Sequence, residues 1–342
     1  MRSTQGWVLL VALLLVPAGS ALAEDIQERA RQLEYDPETG EWVEREPPEP
    51  GTPTGDYQLA RRAFAREDYR KAHRRIKKWL KTYGAEEPLY PEALLFRAEV
   101  EIARRDYYKA HKHLREFRSE FGQTELADRA AEFQFVIAEV FLSGVKRKFW
   151  GLRILSGTDT ALDILDELSA SQEGTTMAEQ AIKTKADFYF GRGDFSLAEL
   201  EYSRLAQEYP RGRYLRYAQR RSADAALASF PGVEFDDAAL IEAEERFTQY
   251  LAQYPGLAEQ EGIGQILQQI RSQRAAKEYS IGRYYEKTKH VEAAVFYYRS
   301  TSENWSDTIA AAQARDRLAR LGAVEAPGSE AGPQPGELET TS

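Results

Sequence analysis

Few residues in this chain have the type and spacing that chemistry needs. His111 and His113 come nearest to a metal pair, yet two apart on a helix they face different ways. His111 also follows Ala110 as His73 follows Ala72, so a repeating packing pattern accounts for it. The acids Asp163, Asp166 and Glu167, and the pair Asp236 and Asp237, have no nucleophile or metal set nearby and read as solvated faces and helix starts. Gly191-Arg192-Gly193 reads as a turn between helices. There is no G-x-S-x-G, P-loop or H-E-x-x-H pattern. With 4 His and 0 Cys there is no thiol nucleophile, disulfide or C-x-x-C site to build. The expectation is a non-enzyme without metal or cofactor.

What remains suits contact rather than reaction. Between Ser143 and Asp159, where a short helix-helix turn would suffice, the basic run Lys146, Arg147, Lys148 leads into Phe149, Trp150, Leu152, Ile154 and Leu155. Cations beside aromatics fit a protein hot spot or an interfacial membrane contact. Lys146, Arg147, Lys148, Phe149, Trp150 and Leu152 are therefore the candidate partner-binding residues. The alternative is that the aromatics fold back onto a neighbouring helix. A second concentration lies from Tyr57 to Lys81, with ten Lys/Arg against two acids. That local field suits an acidic tail, an anionic membrane face or an acidic partner.

The elements that position these residues are helices in pairs. In Ala186 to Pro210, Ala186 and Tyr189 share one helical face, and Ala198, Tyr202 and Leu205 form a stripe on the next. Small residues let the two backbones approach while aromatics fill the groove beside them. The same pattern recurs as Ala60, Ala63 and Phe64 with Ala72, Ile76 and Trp79, and as Ala98 and Ile102 with Ala110, Leu114 and Phe117. It returns at Ala161, Leu165 and Leu168, at Ala243, Phe247 and Tyr250, and at Gly282 with Ala294 and Tyr298. This is the tetratricopeptide spacing. The expected fold is all-α: a tetratricopeptide-repeat solenoid of about five to six pairs over residues 55–321. A final helix, Thr308 to Leu321, is expected to cap it, with Ile309, Ala312 and Leu318 on the packed side. No β pattern is expected apart from a turn between Tyr35 and Trp42.

The ends differ from this core. Arg2, the apolar run Trp7 to Val16 and Ala21-Leu22-Ala23 form the pattern of an export signal cleaved after Ala23. Residues 24–54 carry ten acids and three Arg and are Pro-rich, reading as an acidic linker. Residues 322–342 carry four Glu with Pro and Gly and read as a disordered tail. The formal charge of −9 thus resides in the ends, and residues 55–321 sum to +1. Nucleic acid is not an expected partner.

Once aligned, the repeats resemble the BamD (YfiO-like) family of outer-membrane assembly lipoproteins. The residues that carry the likeness are the helix endings Leu205 to Pro210 and Phe247 through Tyr254-Pro255, and the run Ala276 to Leu321. The resemblance implies a periplasmic protein scaffold for outer-membrane β-barrel assembly, at the inner face of that membrane. Its implied partners are a barrel subunit and unfolded clients. A scaffold tied to cell-wall synthesis or division is the alternative. That family is anchored by a lipidated Cys after its signal, and this sequence has none. The expectation here is an exported protein without a lipid anchor, with peripheral membrane contact at most.

Overall fold

Alanines at the helix seams set how closely successive helices pack. The computed structural model describes residues 33–36, 41–44, 48–149, 152–233 and 235–323. Most are helical, and the chain divides after Gly122 into two compact units.

The first unit begins with an antiparallel pair, β1 (Leu33–Asp36) and β2 (Glu41–Glu44). Tyr35 stands opposite Trp42, so the two aromatics flanking the expected turn are cross-strand partners. Two helix pairs follow: α1 (Pro53–Ala65) with α2 (Tyr69–Tyr83), and α3 (Tyr90–Ala103) with α4 (Tyr107–Phe121). Thr52 starts α1 by accepting from the Gly55 amide at 3.0 Å, with Pro53 at the first helical position. Ala60, Ala72, Ile76 and Val100 are fully buried around Trp79 and Phe96. The Trp79 indole donates to the Pro53 carbonyl at 2.7 Å, and the Tyr83 hydroxyl to Asp56 at 2.8 Å. These bonds hold the start of α1 against the end of α2.

The second unit opens with α5 (Ala127–Leu142) and α6 (Thr158–Ser171). Between them the chain is not a plain loop. It forms β3 (Arg147–Phe149) and β4 (Leu152–Leu155), an antiparallel hairpin. This corrects the expectation of no strand there. The alternation that marks a strand is broken by a bulge: Arg147 pairs with Leu155 and Lys148 with Arg153, leaving Ile154 as the extra residue. Next come α7 (Thr176–Arg192) with α8 (Phe195–Glu208), and α9 (Leu215–Ala228) with α10 (Ala238–Gln253). A short α11 (Pro255–Gln260) leads into the 25-residue α12 (Ile263–Lys287), paired with α13 (Val291–Asn304).

The predicted seam residues Ala186, Ala198, Ala243 and Ala294 are all fully buried. Gly282 serves the same purpose more tightly, since a Cβ there would lie 2.8 Å from the Tyr298 ring. The cap α14 (Ile309–Arg320) starts at Thr308, whose hydroxyl accepts from the Ala311 amide at 3.2 Å. Its packed side differs from expectation: Ala310, Ala311, Ala314 and Leu318 form the seam, while Ile309 is 80% exposed. Alanines let this helix approach α13 more closely than Ile309 would.

One local device recurs at the helix turns. The residue after the first helix's last turn is left-handed at Glu67 (φ 60), Arg105 (φ 57), Gly193 (φ 83) and Lys289 (φ 65). In each case the next amide reaches back five residues: Asp68 to Ala63, Asp106 to Glu101, Asp194 to Tyr189, and His290 to Tyr285, at 2.8–3.0 Å. Only Gly193 takes that conformation without a Cβ penalty. Replacing Glu67, Arg105 or Lys289 with Gly should stabilise the fold by about 0.5–1 kcal/mol each, after the extra unfolded-state entropy is subtracted. Urea unfolding of the single variants checks this.

Candidate functional site

The β3–β4 hairpin stands between Gly144 and Gly157, and its two ends are fixed differently. At the entry, Arg147 is half-buried and its guanidinium donates to the Thr160 hydroxyl on α6 at 3.0 Å. This candidate residue therefore ties the hairpin to the helices. At the exit, Gly157 is buried against the Phe141 ring of α5, where a Cβ would lie only 2.3 Å from a ring carbon.

Between these anchors the ribbon is open to solvent. Leu152 is 65% exposed, Ile154 53% and Leu155 41%. Lys146 is exposed and Lys148 half-buried. The Phe149 side chain and the whole of Trp150 lie outside the described residues, so neither the binding nor the folded-back reading of those aromatics is placed. Ile154 and Leu155 were not among the candidate residues. Their adjacency in sequence concealed that the bulge leaves both open. Leu152, Ile154 and Leu155 are thus three large apolar side chains left open beside Lys146 and Lys148 on a short ribbon.

Among the described residues no group of three or more His, Cys, Asp or Glu is placed to hold a metal. Nor is any described helix long and apolar enough to cross a membrane. His111 is buried, and His113 faces Glu116 at 3.6 Å.

Residues 156–323 match the family described as YfiO, outer membrane lipoprotein. The second half of the chain is YfiO-like. The match begins directly after β4, so the hairpin lies just outside the stretch that carries the family's sequence.

Within the YfiO-like stretch a polar cluster surrounds Asp187 on α7. One carboxylate oxygen accepts from the Tyr202 hydroxyl at 2.6 Å and the Tyr217 hydroxyl at 2.7 Å, and the other takes the Lys183 ammonium at 2.6 Å. Lys183 also lies 4.6 Å from the Tyr217 ring centre, and the Arg221 guanidinium sits 3.7 Å above Phe190. The cluster joins α7, α8 and α9 through one acceptor. Within it the Lys183 ammonium answers the Asp187 carboxylate.

Burial, with the Asp187 hydrogen bond added, pushes the Tyr202 and Tyr217 hydroxyls above their ordinary range. Burial alone would lower Lys183, but the bond and charge of Asp187 outweigh it and raise its pKa. All three groups keep their protons longer in the fold than in the unfolded chain. Their stabilisation is therefore complete below the unfolded tyrosine value of about 10 and is lost as pH rises beyond it. Urea midpoints should stay level up to about pH 9 and fall above about pH 10. The fall should be shallower in Tyr202→Phe/Tyr217→Phe.

A groove of about 250 Å³ between α8, α9 and α10 is lined by Gln207, Gln219, Gln249, Gln253 and Arg246. Arg246 is already held by Glu199 at 2.5 Å and Glu242 at 2.7 Å. The groove is smaller than an ordinary small-molecule site and presents neutral amides.

No curated protein matches the chain. Among solved structures it is similar to the C-terminal part of a TPR repeat-containing protein from Cytophaga hutchinsonii, at 10% identity over 76% of this chain and 88% of that one, TM-score 0.39. It is also similar to PilW, a widely conserved type IV pilus biogenesis factor, at 17% identity over 78% of this chain and 99% of that one, TM-score 0.29. Likeness at these values adds nothing to what the helix pairs themselves display. A YfiO-like run of such pairs is a protein-interaction scaffold.

Proposed function

We propose that this chain is a non-catalytic periplasmic scaffold in outer-membrane β-barrel assembly, exported by its N-terminal segment and binding protein partners through the β3–β4 hairpin. The observation that carries the reading is the YfiO-like sequence of residues 156–323 with an open apolar ribbon directly before it. Lys146 and Lys148 would steer an acidic partner to the ribbon, and Leu152, Ile154 and Leu155 would supply the apolar contact. Such an interface needs a few buried anchors more than it needs area.

The test is affinity capture of the full chain from cross-linked envelopes, beside Leu152→Ser/Ile154→Ser. Both residues are already exposed, so the double variant should keep wild-type helicity and urea midpoint within about 0.5 kcal/mol. The expected catch is a barrel-assembly subunit, weakened at least tenfold by the substitutions. Recovery of wall-synthesis or division enzymes instead would move the scaffold to that process. Undiminished capture by the variant would remove the hairpin from the interface.

A further inference from the structure

Among the described helices α2 is the most one-sidedly charged. Tyr69–Tyr83 contains Arg70, Lys71, Arg74, Arg75, Lys77, Lys78 and Lys81 and no acid. Arg70, Arg74, Lys77 and Lys81 follow the three- and four-residue steps of one helical face, with Lys71 and Lys78 beside them. All six are exposed, and among the described residues none of them forms an ion pair. Cations elsewhere in the unit do: Arg61 meets Glu99 at 2.9 Å, Arg104 meets Glu101 at 2.9 Å, and Lys109 meets Asp106 at 3.1 Å. Like charges stacked at these spacings repel along the helix, so the face favours an anionic cover.

We propose that this cover is the acidic β1–β2 ribbon of the same chain. Its strands carry Glu34, Asp36, Glu41 and Glu44 and no Lys or Arg. The register places Glu34, Asp36 and Glu41 on one face and Tyr35 and Trp42 on the other. The tether also suits the contact. The Trp79–Pro53 and Tyr83–Asp56 bonds fix the start of α1 beside the Lys78–Lys81 end of α2. From Glu44 to Pro48 is four peptide steps, a reach of up to roughly 14 Å. A four-residue strand is roughly 13 Å long, and α2 rises roughly 10 Å from Arg74 to Lys81. A ribbon held this close has an effective concentration on the order of millimolar. A lipid surface fits less well, because the exposed positions of the stripe offer no apolar side chain for insertion. Docking would offset part of the charge of α2 and leave the Tyr35–Trp42 face outermost.

Zero-length carbodiimide coupling of the full chain tests the contact, because it joins only amines and carboxylates already in contact. The expected products are links within one chain between Lys77, Lys78 or Lys81 and Glu34, Asp36 or Glu41, the acids of the docked face. Their yield should fall at least tenfold in 1 M salt, where the screening length is about 3 Å. It should fall similarly in Glu34→Gln/Asp36→Asn/Glu41→Gln/Glu44→Gln, whose substitutions lie outside the helix pairs. No such links, or links found only between differently isotope-labelled copies, would overturn the proposal. Sedimentation with phosphatidylglycerol vesicles gives a second readout. The neutralised variant should bind at least tenfold more tightly than wild type, and equal binding would mean that the ribbon does not cover the stripe.

Discussion

Replacing Asp187 with Ala should destabilise the second unit by about 2–3 kcal/mol, measured by urea unfolding followed by circular dichroism. Three donors on three helices converge on this carboxylate, from Tyr202, Tyr217 and Lys183. Tyr202 is fully buried, so its hydroxyl would have no water to turn to. Lys183 is partly exposed and loses less, which keeps the total near that of two hydrogen bonds to a charged acceptor. The physical signature is a rescue. An unmet buried donor costs more than an absent one, so Asp187→Ala/Tyr202→Phe/Tyr217→Phe should be more stable than the single substitutions imply by addition. Strict additivity would mean that the three groups do not act as one cluster.

Asp187 shows where sequence reading stops. The flanking Ala186 and Tyr189 were legible because packing imposes a period. Asp187 looked like any charged residue on a helix. Its partners lie 15 and 30 residues away on the next two helices, and only the superposition of those helices brings the hydroxyls to one oxygen. The helix pairs themselves were readable because each seam repeats the same small and aromatic residues. The long α12 was readable only in about its second half, from Ala276. Ahead of that, Ile263, Ile270 and Ala275 are buried among many glutamines and give a thin stripe. The β3–β4 hairpin was hidden by its bulge, which puts Ile154 and Leu155 side by side where alternation would separate them.

The cationic helix makes the complementary point. Its composition was plain in the sequence, but composition does not say which charges are answered. The structure separates Arg61 and Arg104, which reach acids on α3, from the six residues of α2 that reach none among those described. The helix is held by Ala72, Ile76 and Trp79 on its other side, so its packing does not draw on the open charges.

Gly157→Ala carries the second large effect and separates the hairpin's placement from its surface. The added Cβ would lie 2.3 Å from one Phe141 ring carbon and 2.6 Å from another, in a buried site. Phe141 is 1% exposed and cannot swing into solvent without opening the α5–α6 seam. Overpacking of this kind costs about 1–3 kcal/mol, and losing Gly at the cap position of α6 adds a few tenths. The expected loss is therefore about 2–3 kcal/mol by urea unfolding. If the clash is the cause, Phe141→Leu should cost less in the Gly157→Ala background than in wild type, because the smaller side chain makes room for the methyl. Leu152→Ser/Ile154→Ser should leave stability unchanged while weakening partner capture. Gly157→Ala should lower both, because it displaces the ribbon from the seam that aims it. A stable Gly157→Ala protein with normal capture would show that the hairpin's exit does not fix its position.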